Sequence, residues 1–329
     1  MKAERHIIVT GGAGYIGSHA CKRLQKDGFV PVTIDNLVTG WAHSINYGPF
    51  EEIDLLNKSA VQKVFQKYNP EGVIHFAALS NVGDSVSDPL NYWRNNFVGS
   101  LNLVESCVEF GCENFVFSST CATYGEHDDV VLTENVAQKP NNPYGSSKRA
   151  VEELLSDVSE AFGLRYVIFR YFNVSGADPE GELGECHHPE THVIPLLLES
   201  VSDPSKKFTI FGTDYDTPDG TCIRDYVHVS DLVDAHILGL DWLLKEGDNR
   251  VYNLGTGMGF SVKQVLEAVN SVTGQQVPME KGPRREGDCT RLVSNSKKIE
   301  GELGWIPVRS NLEDMIHDSW CWVNSKRDG

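Results

Sequence analysis

The sequence has little that would hold it to a polyanion or a bilayer. Its 29 Lys and Arg are set against 46 Asp and Glu, a net charge of -17 over 329 residues. A phosphate backbone or an anionic membrane surface demands a basic face, so neither nucleic acid nor membrane is the expected partner. No apolar run approaches the length of a signal core or a membrane span, which predicts a cytoplasmic protein. The eight cysteines form no Cys-x-x-Cys pair and no zinc spacing, which reads as reduced thiols. There is no internal repeat and no low-complexity tail. What remains is an ordinary globular composition on a chain long enough for two domains.

The first positive signal is Val-Thr-Gly-Gly-Ala-Gly-Tyr-Ile-Gly at Val9–Gly17. The apolar run Ile7-Ile8-Val9 enters it, and a helical pattern from Tyr15 to about Lys26 leaves it. Glycines at Gly11, Gly14 and Gly17 let backbone N–H groups face a pyrophosphate at the positive end of the next helix, where a Cβ would block the approach. Asp35 ends the next apolar run, Val30, Val32 and Ile34. An acid there suits the adenosine ribose hydroxyls and repels the extra phosphate of NADP, so the expected cofactor is NAD.

Apolar runs then alternate with helical patterns. Asn57 caps a predicted helix carrying Val61, Val64 and Phe65, which gives way at Asn69-Pro70. Next come a strand at Val73–Phe76, a helix from about Pro89 to Phe110, a strand at Phe115–Phe117, a helix from Tyr144 to Phe162 and a strand at Tyr166–Phe169. Such alternation predicts an α/β fold with a Rossmann-like, doubly wound parallel sheet. From Ser175 the texture changes to mixed Gly, Pro, Glu and His, followed by shorter strands and helices. The expected division is an NAD-binding domain over residues 1–174 and a smaller C-terminal α/β substrate domain over 175–329. The helix around Trp93, with Phe97, Leu101, Val104 and Val108, holds more apolar surface than one sheet face needs. So does the helix carrying Val151, Leu154, Leu155, Val158 and Phe162. Pairing of these helices predicts a homodimer.

The chemistry-bearing stretch is Tyr144-Gly-Ser-Ser-Lys148. Four residues on a helix bring Lys148 onto the face of Tyr144, one turn later. A phenol is a poor base at neutral pH, but a nearby ammonium favours its phenolate, which can then take or return a hydroxyl proton. Tyr and Lys four apart are also common on solvated helix faces. Here the pair follows a Rossmann-like half, and a hydroxyl-rich segment, Ser118-Ser119-Thr120, leaves the end of a strand where open α/β sheets place their ligands.

With these residues together, the sequence resembles the extended short-chain dehydrogenase/reductase family and, within it, the UDP-glucose 4-epimerases. The resemblance runs nearly end to end. Its carriers are Thr10-Gly-Gly-Ala-Gly-Tyr-Ile-Gly-Ser-His19, Asp35-Asn36-Leu37, His75-Phe76-Ala77-Ala78, and Tyr144 with Lys148. Beyond them come Arg170-Tyr-Phe-Asn173, Asp219-Gly-Thr-Cys-Ile-Arg-Asp-Tyr-Val-His228, Tyr252-Asn-Leu-Gly255 and Pro283-Arg-Arg-Glu-Gly-Asp288. The resemblance implies an isomerase that oxidises carbon 4 of a UDP-hexose with NAD and reduces it again on the opposite face. Tyr144 would be the acid/base, Thr120 would hydrogen-bond the reacting oxygen, and Lys148 would hold the ribose and tune Tyr144. It further implies that Gly11, Gly14, Tyr15, Ile16, Gly17, Asp35, Asn36, Asp54, Leu55, Phe76, Ala77, Ala78, Asn95, Tyr144, Lys148 and Phe172 line the cofactor. The UDP part of the substrate would be held by Asn173, Val193, Phe211, Arg224, Arg285 and Asp288.

The sequence departs from the family at three places. Ser80 stands where some members carry a lysine near the cofactor phosphates. His192 falls where others use an asparagine, and Leu292 stands at a position that walls the sugar pocket. The last leaves epimerases of UDP-N-acetylglucosamine or UDP-pentoses as alternatives. A sugar-nucleotide 4,6-dehydratase needs an Asp-Glu pair directly after the hydroxyl residue, whereas Thr120 is followed by Cys121-Ala122. His187, His188 and His192 with Glu185 match no zinc spacing, so no metal is expected.

Overall fold

A computed structural model describes residues 4–127, 131–285 and 289–325. The strands are β1 (His6–Thr10), β2 (Val30–Asp35), β3 (Phe50–Glu52), β4 (Gly72–His75), β5 (Asn114–Thr120), β6 (Arg165–Tyr171), β7 (Asn173–Ser175), β8 (Phe208–Phe211), β9 (Ile223–Arg224), β10 (Tyr226–His228), β11 (Arg250–Leu254), β12 (Phe260–Ser261), β13 (Met279–Gly282) and β14 (Arg291–Leu292). The helices are α1 (Tyr15–Lys26), α2 (Lys58–Tyr68), α3 (Val82–Ser87), α4 (Pro89–Tyr92), α5 (Gly99–Phe110), α6 (Pro143–Phe162), α7 (Val193–Ser202), α8 (Val229–Leu244), α9 (Val262–Thr273), α10 (Lys297–Leu303) and α11 (Leu312–Ser325).

Seven strands form the main sheet in the order β11-β6-β5-β4-β1-β2-β3. Every pairing in it is parallel. The order reverses between β1 and β4, the switch point where open α/β sheets leave a crevice at the carboxyl ends of their strands. Alternate residues of β1 face opposite layers, as a pleated strand requires. Ile7 and Val9 join Ala20 and Leu24 of α1 and Leu232 and Leu240 of α8 on one face. Ile8 joins Val61 and Phe65 of α2, Leu103 and Cys107 of α5 and Val151 and Leu155 of α6 on the other. Burying each such side chain is worth about 1.5–3 kcal/mol. The doubly wound sheet expected from the sequence is therefore present, with helices on both faces.

The sheet draws on both halves of the chain. β11 and α8 lie beyond residue 174, yet β11 pairs with β6 at the edge and α8 packs into the first core. A separate cluster, Ile194, Leu197, Val265, Val269, Met315 and Ile316, gathers α7, α9 and α11.

The helix expected from about Pro89 to Phe110 is interrupted. After α4, residues Trp93–Val98 form a π-helical segment, and α5 starts only at Gly99. The wider turn shifts the phase of the apolar stripe. Leu103, Val104 and Cys107 are buried, whereas Trp93, Val98 and Val108 are exposed. π-bulges of this kind are frequent at functional sites, and this one turns Asn96 inward.

Candidate active site

The glycine-rich turn leaves β1 at the switch point. Gly11 has φ +70, and a Cβ on it would sit 2.7 Å from the Ala77 nitrogen. A Cβ on Gly17 would run into the Gly11 carbonyl. Glycine is thus required at both places. α1 begins directly after Gly14, which caps it without any side-chain hydrogen bond, and its first turn holds no acid. Such an end suits a phosphate. Asp35 ends β2, and its carboxylate accepts from Ala13 N at 3.1 Å and from Leu37 N at 2.8 Å, so it also fastens the turn. Asn36 donates to Asp54 at 3.1 Å, and Leu55 is buried beside that pair in sequence. The Tyr15 hydroxyl donates to Gly176 O at 2.6 Å, tying the turn to the start of the C-terminal half.

The opposite wall follows β4. The Phe76 and Ala77 amides donate to Thr10 O at 3.0 and 3.1 Å, which holds the Phe76–Ala78 segment against β1. Asn96 is 2% exposed and does what sequence reasoning missed. It accepts from Leu79 N at 2.8 Å, donates to Leu79 O at 2.9 Å and donates to Ser147 Oγ at 3.2 Å. It therefore joins this wall to the helix that carries Tyr144 and Lys148. Asn95, the expected contact, donates to Asn96 at 2.9 Å. Two adjacent asparagines within an apolar helical run were the available signal, since asparagine is a poor helix former.

Thr120 ends β5 and Tyr144 opens α6 one residue after Pro143. Asn142 caps the helix by accepting from Gly145 N at 2.8 Å. Any Cβ on Gly145 would collide with Ala122 O, so this glycine lets α6 start against the end of β5. Tyr144, Lys148 and Thr120 are all buried, and the Thr120 hydroxyl acts on the Tyr144 phenol, favouring its ionised form. The electrostatics differ from the expectation. Burial pushes Tyr144 well above the usual phenol range, with Thr120 opposing it, and Lys148 does not offset this. Burial also pushes Lys148 down to about 7, with Glu152 acting the other way. The reason lies in the packing. The Lys148 ammonium donates to Ser118 O at 2.8 Å and lies 4.8 Å from the centre of the Phe117 ring. A dry pocket favours the neutral form of both groups.

Around them lies a buried polar network that the sequence reading did not single out. Glu152 and Arg170 are 6% exposed each. Arg170 donates to both Glu152 oxygens at 3.1 Å through Nε and at 2.5 Å through Nη2, and to the Tyr124 hydroxyl at 3.1 Å. Removing one partner of such a pair costs about 3–5 kcal/mol. Two acids, Glu152 and Glu153, stand between the apolar Val151 and Leu154, and Glu152 shares the helix face of Lys148, which was the available signal. Cys121 is inert here, as burial pushes its thiol up to about 12.

The expected substrate residues come from the edge of the C-terminal half. Asn173 opens β7, and its amide donates to Asp225 O at 3.1 Å. Val193 opens α7 behind His192, which adds no side-chain cap. Phe211 ends β8 with the Arg285 guanidinium 4.0 Å over its ring. Arg224 donates to Ile223 O at 2.9 Å and Cys289 O at 2.8 Å. Arg284 is engaged by Asp214 at 2.9 Å and stacks on Tyr215. Asp288 lies outside the described residues. Leu292 packs with Tyr124, Leu132 and Phe172, and Phe172 is an expected cofactor neighbour.

Glu185, His187, Glu190 and His192 converge, which spacing alone did not predict: their ligand-type atoms lie within 4.8 Å of one another. They engage one another directly. His192 Nδ1 is 2.8 Å from Glu185 and 2.9 Å from Glu190, and His187 Nδ1 is 3.0 Å from Glu185. Two imidazoliums balance two carboxylates. The nearby acids Asp178, Glu180 and Glu182 are gathered on Lys22.

The profile of the NAD dependent epimerase/dehydratase family matches residues 7–255, an interval that takes in nearly all of the parallel sheet from β1 to β11. The chain belongs to this family. It is similar to the UDP-glucose 4-epimerase of Rhizobium leguminosarum bv. trifolii, 46% identical over 97% of this chain and 98% of that one. It is similar to the crystal structure of UDP-glucose 4-epimerase from Brucella ovis in complex with NAD, with TM-score 0.94 and 44% identity over 96% and 97% of the two chains. It also resembles the Bifidobacterium longum UDP-glucose 4-epimerase in complex with NAD+ and UDP, with TM-score 0.92 and 33% identity over 98% and 99%. NAD dependence suits a switch-point crevice with two obligatory glycines, a helix end free of side-chain caps and an acid at the end of β2. Among the described residues no helix is long and apolar enough to cross a membrane.

Proposed function

We propose that this chain is an NAD-dependent epimerase that interconverts UDP-glucose and UDP-galactose by inverting carbon 4 through a transient 4-keto sugar. The observation that carries the reading is the burial of Tyr144, Thr120 and Lys148 together at the carboxyl end of β5, one strand from β4 and two from the glycine-rich turn of β1. Bound NAD would supply a hydride acceptor that returns the hydride to the other face. The chain's own part is proton handling and orientation. Tyr144 takes the proton from the carbon-4 hydroxyl and gives it back. Thr120 hydrogen-bonds the same oxygen, and Lys148 holds the cofactor ribose and supplies positive charge beside the phenol.

In this reading Gly11, Gly14, Tyr15, Ile16 and Gly17 hold the pyrophosphate. Asp35 and Asn36 hold the adenosine ribose, while Asp54, Leu55, Phe76, Ala77, Ala78, Asn95 and Phe172 line the rest. Residues 1–174 form the NAD-binding domain, which also carries Thr120, Tyr144 and Asn173 to the substrate, and residues 175–329 form the UDP-sugar-binding domain. Arg224 and Arg285 pair with the diphosphate, a geometry that guanidinium groups favour. Asn173, Val193, Phe211 and Asp288 complete the nucleotide pocket. The reaction runs in the cytoplasm, and the protein acts as a homodimer.

The test is to incubate the protein, without added NAD, with UDP-glucose. UDP-galactose should accumulate to equilibrium. Tyr144→Phe should lower turnover by about 10²–10⁴-fold, the usual contribution of a general acid/base, while NAD stays bound. Turnover that is unchanged in Tyr144→Phe overturns the assignment.

A further inference from the structure

Tyr144, Lys148 and Glu152 follow one another at four-residue intervals along α6, and all three are buried. A buried carboxylate is costly unless it is paired and hydrogen-bonded. Glu152 is fully engaged: Ser119 Oγ donates to it at 2.5 Å, Gln138 Nε2 at 3.0 Å, and Arg170 from two nitrogens. Arg170 in turn is fixed by the Tyr124 hydroxyl, which donates to Asn253 at 2.7 Å. Neither charge is free to swing away from α6.

Among the described residues, the other neighbours of Lys148 are neutral. From β5 it meets Ser118 O and the Phe117 ring. From β4 it faces His75, which is 1% exposed and held neutral by burial, bonded to Thr10 and Ser100. From β6, Tyr171 shares a hydrogen bond with Ser118 and stays neutral. The turn after β5 brings Tyr124 and Cys121, both kept protonated by burial. Of the two fixed charges in the network, Glu152 is the one whose field reaches Lys148.

We propose that Glu152 is a positioning residue for the reaction: its carboxylate, one helical turn beyond Lys148 and anchored by Arg170, keeps the Lys148 ammonium charged beside Tyr144. This rests on Tyr144 and Lys148 being the acid/base pair proposed above. A pair that served stability alone could be replaced by apolar groups of similar volume without loss. Here the anion stands beside the one buried lysine whose charge the chemistry needs.

The test compares the pH dependence of kcat for UDP-glucose in the NAD-loaded protein and in Glu152→Gln/Arg170→Gln, which leaves neither member of that pair as an unpaired charge. Loss of the nearer negative charge makes both the ammonium and the phenol easier to deprotonate. The profile should therefore move to lower pH by about one unit, the effect of one neighbouring charge, with KM little changed. Glu152→Asp, which keeps the charge, should restore the parent profile. A double variant that is folded, active and superimposable on the parent at every pH overturns the proposal. A second measurement needs no variant at the pair. The ε-carbon resonance of Lys148 in ¹³C-lysine-labelled holoprotein, assigned by Lys148→Arg, should report an ammonium at neutral pH. A neutral amine there overturns the proposal as well. Tyr144→Phe in the same assay separates the two failures: if it keeps full turnover, the acid/base pair itself is misassigned.

Discussion

Tyr144 and Lys148 share a helix face and a dry pocket, and it is the pocket that decides their charge. Burial alone drives a phenol up and an ammonium down, and both effects are seen here. The pairing was legible from four-residue spacing, whereas the environment was not, because desolvation comes from β4, β5 and β6 rather than from the helix. Leu292 makes the same point. Its neighbours Tyr124, Leu132 and Phe172 come from three separate segments. A larger ring at that place should crowd the hexose. Leu292→Tyr is expected to reduce any turnover of UDP-N-acetylglucosamine by a larger factor than that of UDP-glucose, as the added volume meets the bulkier N-acetyl group first. Epimer ratios measured with both substrates check this, and equal losses would remove Leu292 from the pocket wall.

At the scale of elements, regular structure followed local rules. Asn57 caps α2, and Ser261 with Gln264 forms a capping box on α9, both readable patterns. The π segment at Trp93–Val98 was not readable, because its apolar residues fit a continuous helix as well. What selects it is the inward pull on Asn96 from Leu79 and Ser147. The loop leading to α7 shows a similar gap between spacing and contact. Burial pulls His187 and His192 down, but Glu185 and Glu190 outweigh it and hold them up at about 9 and about 10. Unfolded histidines titrate near 6.5, so the cluster stabilises the fold fully below that value and loses its effect as pH rises through about 9 to 10. The melting temperature of the parent should therefore fall more between about pH 6 and about pH 10 than that of His187→Asn/His192→Asn. Parallel curves would show that the cluster carries no linked protons.

For the whole molecule, the exposed apolar side chains point to what happens between copies. Phe162 is 68% exposed at the end of α6, and Trp93 and Val108 are exposed on the neighbouring helical stretch. An association that buries this surface is expected to make the protein a dimer. Phe162→Glu should shift the sedimenting species toward monomer while leaving the fold intact. A parent that sediments as a monomer at micromolar concentration would contradict the dimer outright.

The sequence by itself determined the alternation of strands and helices, the glycine turn after β1, the acid at the end of β2 and the Tyr144–Lys148 pair. Each is set by neighbours within a few residues, through hydrogen-bond geometry, steric allowance and helical periodicity. Only the tertiary structure decided that β11 and α8, from the far half of the chain, complete the main sheet and its core. Only it tied Asn96 to α6 through Ser147, anchored Glu152 with Arg170 of β6, and closed Glu185, His187, Glu190 and His192 into one cluster. The Asn96–Ser147 and Arg170–Glu152 contacts join different elements, and the last cluster depends on how one loop folds back on itself. Such contacts are chosen by the burial of apolar faces and by the need to pair every buried charge, which no local pattern records.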